Sequence, residues 1–387
     1  MLKTKQHRQN TVHLNIYDKW FVATILCLVL IGLMMVASSS VMMATKYYHQ
    51  PFYFLIRQMI YLCIGFGLAL IVVRVDTQFW QQHSVKLLAV CLILLVIVLI
   101  PGIGKMVNGS RRWLAIGPIG IQVSELTKLL IVLYMASYLV KQSEKVGQRI
   151  LGFIKPMLVL AIIAALLLKE PDFGATVVIV STVMMMLFLS GLQWRYYIIL
   201  MILVGVAMAC LAIASPYRVA RLTAFLNPWA DQFKSGYQLT QALIAFGRGG
   251  WMGVGLGDSI QKMFYLPEAH TDFLFAVLAE EMGFLGIMAV LVLYGLLFWR
   301  GLAIGFQAYQ QNRKYPAFVA YGLTCWLVFQ SLINMGVNSG MLPTKGLTLP
   351  FLSYGGASLV VNCIVIALLL RIDHENRWFA LGLRAHP

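Results

Sequence analysis

Three ionisable residues fall within five positions at Glu268, His270 and Asp272, in the run Tyr265-Leu266-Pro267-Glu268-Ala269-His270-Thr271-Asp272-Phe273. A carboxylate held there away from water has its pKa raised toward the range of a useful general base. Thr271 or Asp272 also suits the N-cap of a following helix, its oxygen taking a free backbone N–H. Such chemistry has few places to sit, because the 387 residues include only 14 Asp and Glu. A second set lies in Gln122-Val123-Ser124-Glu125-Leu126-Thr127-Lys128. Glu125 and Lys128, three apart, share a helix face and can pair, either to join helices or to serve function. Adjacent Glu280 and Glu281 point about 100° apart on a helix, so at least one is expected to bond a neighbouring helix or a water. Lys169-Glu170-Pro171-Asp172-Phe173-Gly174 reads as a turn with Asp172 capping the next helix. Arg111 and Arg112 are suited to bidentate recognition of phosphate. Lys169, Arg218, Arg221, Arg248, Lys262 and Lys345 add further cations.

The elements that position these groups are apolar. Of the residues, 60% are hydrophobic and 11% are charged, where soluble domains carry about 25% charged residues. That excludes an ordinary soluble enzyme and a disordered chain. Ten runs are long enough to span a bilayer, at 20–43, 53–73, 84–101, 122–140, 150–168, 173–191, 195–215, 273–299, 316–336 and 354–371. An all-α polytopic membrane protein with ten transmembrane helices is therefore expected. Residues 1–19 and 372–387 read as cytoplasmic tails flanking one transmembrane domain, 20–371, and the first run reads as a retained signal anchor. The net charge of +16 would suggest nucleic acid in a soluble protein. Here it reflects the enrichment of Lys and Arg in cytoplasmic loops, which puts both termini inside, and no nucleic-acid partner is expected. Glu268, His270, Asp272, both arginines and Lys345 then fall on the outer face. A cationic outer surface over a membrane suits an anionic amphiphile, or simply lipid headgroups. The outer segment 216–272 is too long for a connection and too apolar for disorder, so it is expected to carry interfacial helices.

Several separate stretches carry a family likeness: Gly109–Trp113, Gln122–Lys128, Glu170–Thr176, Asn227–Gly257, Tyr265–Gly286 and Met341–Ser358. Across residues 15–380 the chain resembles the SEDS (shape, elongation, division and sporulation) family of bacterial membrane proteins. The forms Leu266-Pro267-Glu268-Ala269-His270-Thr271-Asp272-Phe273 and Pro343-Thr344-Lys345-Gly346-Leu347-Thr348-Leu349-Pro350 resemble its division branch rather than its RodA branch. Val123 departs from the family, which has proline before Ser-Glu.

The resemblance implies ten spans and an inner-membrane glycosyltransferase at the division septum that polymerises lipid II into peptidoglycan glycan strands. It further implies an FtsI-like class B penicillin-binding protein and other divisome proteins as partners. Asp272 is implied as the catalytic residue, and Glu125 and Lys128 as functionally important cavity residues. In that reaction Asp272 would act as general base in an inverting transfer. Arg111, Arg112, Lys128 and Lys345, with a divalent ion (magnesium or manganese) as an optional addition, would balance the pyrophosphate charge. Glu268 and His270 join the expected substrate-binding set. The rival readings are a lipid II flippase, its headgroup path lined by Glu125, Lys128 and Glu280, and a non-catalytic division scaffold.

Overall fold

The computed structural model describes residues 17–107, 110–116, 119–142 and 151–382. Most of the expected N-terminal tail and the last five residues of the C-terminal one lie outside the described residues, as does Asn108-Gly109. The helices in chain order are α1 Lys19–Tyr48, α2 Tyr53–Val72, α3 Thr77–Leu99, α4 Val123–Lys141, α5 Leu151–Lys169, α6 Phe173–Leu189 and α7 Trp194–Ile213. They are followed by α8 Pro216–Leu226, α9 Tyr237–Gly249, α10 Leu274–Gln310, α11 Lys314–Asn338 and α12 Gly356–Ala380. Among the described residues, eight helices are long and apolar enough to cross a membrane, and α6 is a shorter apolar helix of 17 residues. The long segment after α7 is helical in part, through α8, a short 3-10 turn at Pro228–Asp231, α9 and a π-turn at Gln261–Tyr265.

Burial sorts the helices into a centre and a rim. Within their most apolar windows, 78% of α4, 78% of α11 and 72% of α12 is buried, against 6% of α7. The central helices carry the polar side chains, because polar groups facing lipid have nothing to bond.

Two features depart from expectation. A three-stranded antiparallel sheet, β1 Gly104–Val107, β2 Ser110–Ile116 and β3 Ile119–Gln122, interrupts the all-α pattern between α3 and α4. Its strands are four to seven residues long, so each supplies too few alternations to stand out. The last helix also continues through 372–380, which was expected as tail. There i,i+4 pairs, Arg371–Glu375 at 2.9 Å and Asp373–Arg377 at 3.0 Å, hold the helix after the apolar residues end.

Helix α10 contains a break. At Gly283 the backbone takes φ 63°, ψ −161°, a conformation essentially confined to glycine. The chain after α9 is stitched into the gap. Val254 and Gly255 N–H donate to the Glu280 and Glu281 carbonyls, at 3.0 and 3.1 Å. Phe284 and Leu285 N–H donate to the Gly250 and Trp251 carbonyls, at 2.9 and 3.2 Å. The two glutamates at the break are buried and bonded. Glu280 meets Arg248 (2.5 Å) and Ser259, while Glu281 meets Lys262 and Ser38 of α1, both at 2.7 Å. Both thus bond neighbouring segments, as was expected of at least one of them.

Candidate active site

The turn before α10 sets the position of Asp272. Glu268 adopts φ 58°, a left-handed conformation that costs of order 1 kcal/mol or more for a residue with a side chain. Thr271 and Phe273 N–H donate back to its carbonyl, at 3.2 and 3.1 Å. The Asp272 carbonyl in turn accepts from Asn334 and Asn338 of α11, both at 2.9 Å. Asn338 also takes the Ala276 N–H through Oδ1 at 3.1 Å. Neither Thr271 nor Asp272 therefore caps α10; an asparagine of the neighbouring helix does that work. The Asp272 carboxylate is left free to face a cavity.

That cavity encloses about 510 Å³. Its acids are Asp172, Glu268 and Asp272, and its cations are Arg112, Arg218, Arg221 and Lys345. Loop 339–355 reaches the acid because residue 346 is glycine: a Cβ there would sit 2.9 Å from Asp272 Oδ2. Among the described residues, Asp272 forms no ion pair and its carboxylate takes no hydrogen bond. Burial first, then the Glu268 and Asp172 charges, push its pKa up to about 7 against the opposing pull of Arg112 and Arg221. Lys345 lies 4.0 Å from the Phe173 ring. Burial, with Arg221 and Arg218 nearby, lowers its pKa to about 8.

The sheet decides which arginine reaches the cavity. Ser110 and Arg112 line it, and Arg111 between them points to the other face of β2, as strand alternation requires. Arg112 is also a brace: its Nε donates to the Glu170 carbonyl at 3.0 Å and its Nη2 to that of Pro171 at 2.7 Å. Asp172 both lines the cavity and caps α6 through the Ala175 N–H at 3.1 Å. Beside it the Glu170 carboxyl is fully buried, and neither oxygen has a partner among the described residues. Burial and the Asp172 charge push its pKa up to about 8, despite Arg112.

Other expected site residues lie off this cavity. Glu125 and Lys128 do pair, at 2.7 Å, and Lys128 also donates to Gln330 at 2.6 Å. Gln330 donates onward to the carbonyl of Thr348, a cavity residue, at 2.9 Å. The buried pair thus supports the cavity from beneath rather than lining it. His270 packs its ring 4.6 Å from Phe54 and 5.7 Å from Tyr354, and burial lowers its pKa. Arg218 and Arg221, by contrast, do enter the site. The legible signal for them was a pair of cations on the outer side, against the charge bias of the chain.

An apolar groove of about 830 Å³ between α5, α6 and α7 ends near the same place. Leu211 lines this groove, and its carbonyl accepts from Arg218 Nη1 at 2.7 Å.

Comparison with known proteins agrees with this architecture. Residues 18–378 match the family model described as "Cell cycle protein", that of FtsW, RodA and SpoVE. The chain is 67% identical over 371 residues to a probable peptidoglycan glycosyltransferase FtsW of Legionella pneumophila, covering 96% of this chain and 94% of that one. It is 53% identical over 360 residues to a probable peptidoglycan glycosyltransferase FtsW of Coxiella burnetii, covering 93% and 97%. Among solved structures, it superposes on a chain of a complex described as a peptidoglycan synthase that coordinates polymerization and crosslinking, with TM-score 0.76 and 28% identity over 93% of this chain and 98% of that one. It superposes on the rod shape determining protein RodA of Thermus thermophilus with TM-score 0.69 and 28% identity, covering 93% and 97%. The chain is a multi-pass membrane protein that belongs to the FtsW/RodA/SpoVE family of cell cycle proteins.

Proposed function

We propose that this protein polymerises lipid II into glycan strands of septal peptidoglycan, with Asp272 as general base. The observation that carries the reading is the unpaired Asp272 carboxylate facing a cavity walled by Arg112, Arg218, Arg221 and Lys345. With its pKa near 7, Asp272 is matched to taking a proton from a sugar hydroxyl at neutral pH. The acceptor 4-hydroxyl oxygen bonds to the donor's anomeric carbon as its proton passes to Asp272. The bond from that carbon to the pyrophosphate breaks, and the pyrophosphate leaves with the electron pair. Direct displacement inverts the anomeric centre, with no nucleophilic carboxylate needed.

The cations have two tasks. Lys345, Arg218 and Arg221 stabilise the negative charge that grows on the leaving pyrophosphate, and Arg112 fixes the 170–172 turn at the cavity wall. Arg218 stands over the apolar groove, so the donor's polyprenyl chain would lie between α5, α6 and α7 with its pyrophosphate at the arginine. Among the described residues, no three His, Cys, Asp or Glu side chains gather as a metal-holding set.

On this reading Asp272 faces the outside of the cytoplasmic membrane at the division septum, and both termini are cytoplasmic. The partner is a class B penicillin-binding protein of the FtsI type, in line with the peptidoglycan synthase complex that the fold resembles. The flippase alternative needs an open polar path, whereas Glu125 and Lys128 are buried against each other and Gln330. The test is polymerisation of purified lipid II by the purified protein, with and without the partner. Asp272→Ala is expected to lower turnover by about 10²–10⁴-fold, and wild-type yield from that variant would overturn the assignment.

A further inference from the structure

A second concavity adjoins the reaction cavity. It measures about 300 Å³ and is lined by Ala220, Arg221, Lys234, Ser235, Tyr237 and Gln238. Arg221 and Gln238 line both spaces, so the two cavities are neighbours that share these side chains. The turn between α8 and α9 shapes the far wall. Asp231 accepts from Ser235 through both its backbone N–H (3.2 Å) and its hydroxyl (2.5 Å). These bonds, with the Lys234 charge nearby, hold the Asp231 carboxyl below its usual range. The acid of this turn is thereby engaged inside it, and the charged residues lining the concavity, Arg221 and Lys234, are both positive. Arg221 is anchored to the opposite wall through Nη1 and the Thr344 carbonyl, 3.2 Å away.

A glycan polymerase must hold two headgroups at once, and each carries sugars, a pyrophosphate and a peptide with carboxylates. The cavity around Asp272, at about 510 Å³, has the volume of an ordinary small-ligand pocket. Its neighbour pairs two cations with an aromatic ring, a hydroxyl and an amide, a set suited to an anionic sugar. We propose that the Arg221–Lys234–Tyr237–Gln238 concavity is the subsite for the second lipid-linked sugar, whose anion sits against Lys234. This assignment rests on the glycosyltransferase reading above. The anion is either the second substrate's pyrophosphate or a carboxylate of its peptide.

The experiment uses the full chain with its penicillin-binding partner. It measures KM and strand length with lipid II and with the lipid-linked disaccharide lacking the peptide. Lys234 is exposed, so Lys234→Glu is compatible with the fold. That variant is expected to raise KM for lipid II by about five-fold, the scale of one exposed charged contact, and to shorten the strands. The kcat should hold, as for lost ground-state binding, and Lys234→Arg should restore KM. A defect that persists on the peptide-free substrate assigns the anion as pyrophosphate; one that disappears assigns it to the peptide. Unchanged KM and strand length in both Lys234→Glu and Tyr237→Ala would overturn the proposal. Failure of the wild-type protein to polymerise would instead strike the glycosyltransferase reading.

Discussion

The two ends of the bundle use the same residue types in opposite ways. At the end that holds the first residues of α1 and the last of α12, every acid among the described residues has a basic partner. Asp18 meets Arg300 at 3.4 Å, Asp373 meets Arg377, Asp76 meets Arg371, and Glu375 meets both Arg371 and Arg313. At the Asp272 end, none of Glu170, Asp172, Glu268 and Asp272 is in an ion pair among the described residues. Buried charges that are paired hold helices together, and removing one partner strands the other. Of the unpaired acids, Asp272 and Glu170 have their proton affinity raised by burial, and this readies a group for proton transfer. One end is thus fastened and the other poised.

The largest effect expected from this contrast is on rate. Asp272 must be ionised to act as a base, so kcat/KM should rise about tenfold per pH unit below its pKa near 7 and level off above it. Lys345 must stay protonated to balance the leaving group, so activity should fall again as pH passes about 8. Lys345→Arg should push that alkaline limb upward, because arginine keeps its charge. A profile with no acid limb near 7 would break the contrast at its centre.

A smaller effect, on stability, is expected at the fastened end. Glu375→Gln leaves Arg313 and Arg371 short of a buried counter-charge and should cost about 3 kcal/mol or more. The readout is thermal melting in detergent, with turnover per folded molecule unchanged. An Asp272-like loss of turnover would show that the two ends do not divide the labour as described.

A further effect on stability, read through its pH dependence, concerns Glu170. Its carboxyl holds a proton up to about pH 8 in the folded chain, against 4.5 ordinarily. Between those values the folded state binds more protons than the unfolded one, so stability falls as pH rises. Above about 8 no further loss accrues. Glu170→Gln should flatten that slope and raise the melting temperature at neutral pH, and an unchanged slope would mean that the buried acid is ionised after all.

The apolar runs made the helices legible, because a span is a long, repeated signal. The Glu125–Lys128 pair was legible too, since a spacing of three fixes a shared face. Arg111 and Arg112 could not be told apart in the same way. Their difference rests on a seven-residue strand, too short for its alternation to stand out. The links from Asn334 and Asn338 to Asp272 join residues more than 60 positions apart. No local pattern announces an asparagine that replaces a helix cap. Sequence likewise shows a glycine at 283 inside an apolar run without revealing that another segment occupies the opening.

That opening has a mechanical consequence. Strand-like bonding between residues 250–255 and 280–285 splices the outer segment into a membrane helix, with Glu280–Arg248 and Glu281–Lys262 as rivets on either side. The downstream half of the segment cannot swing without unzipping the helix that leads to Asp272. The upstream half, α8 and the turn that follows it, makes none of these backbone bonds to α10. A pull on the spliced half would travel along α10 as along a tie rod, moving the base itself.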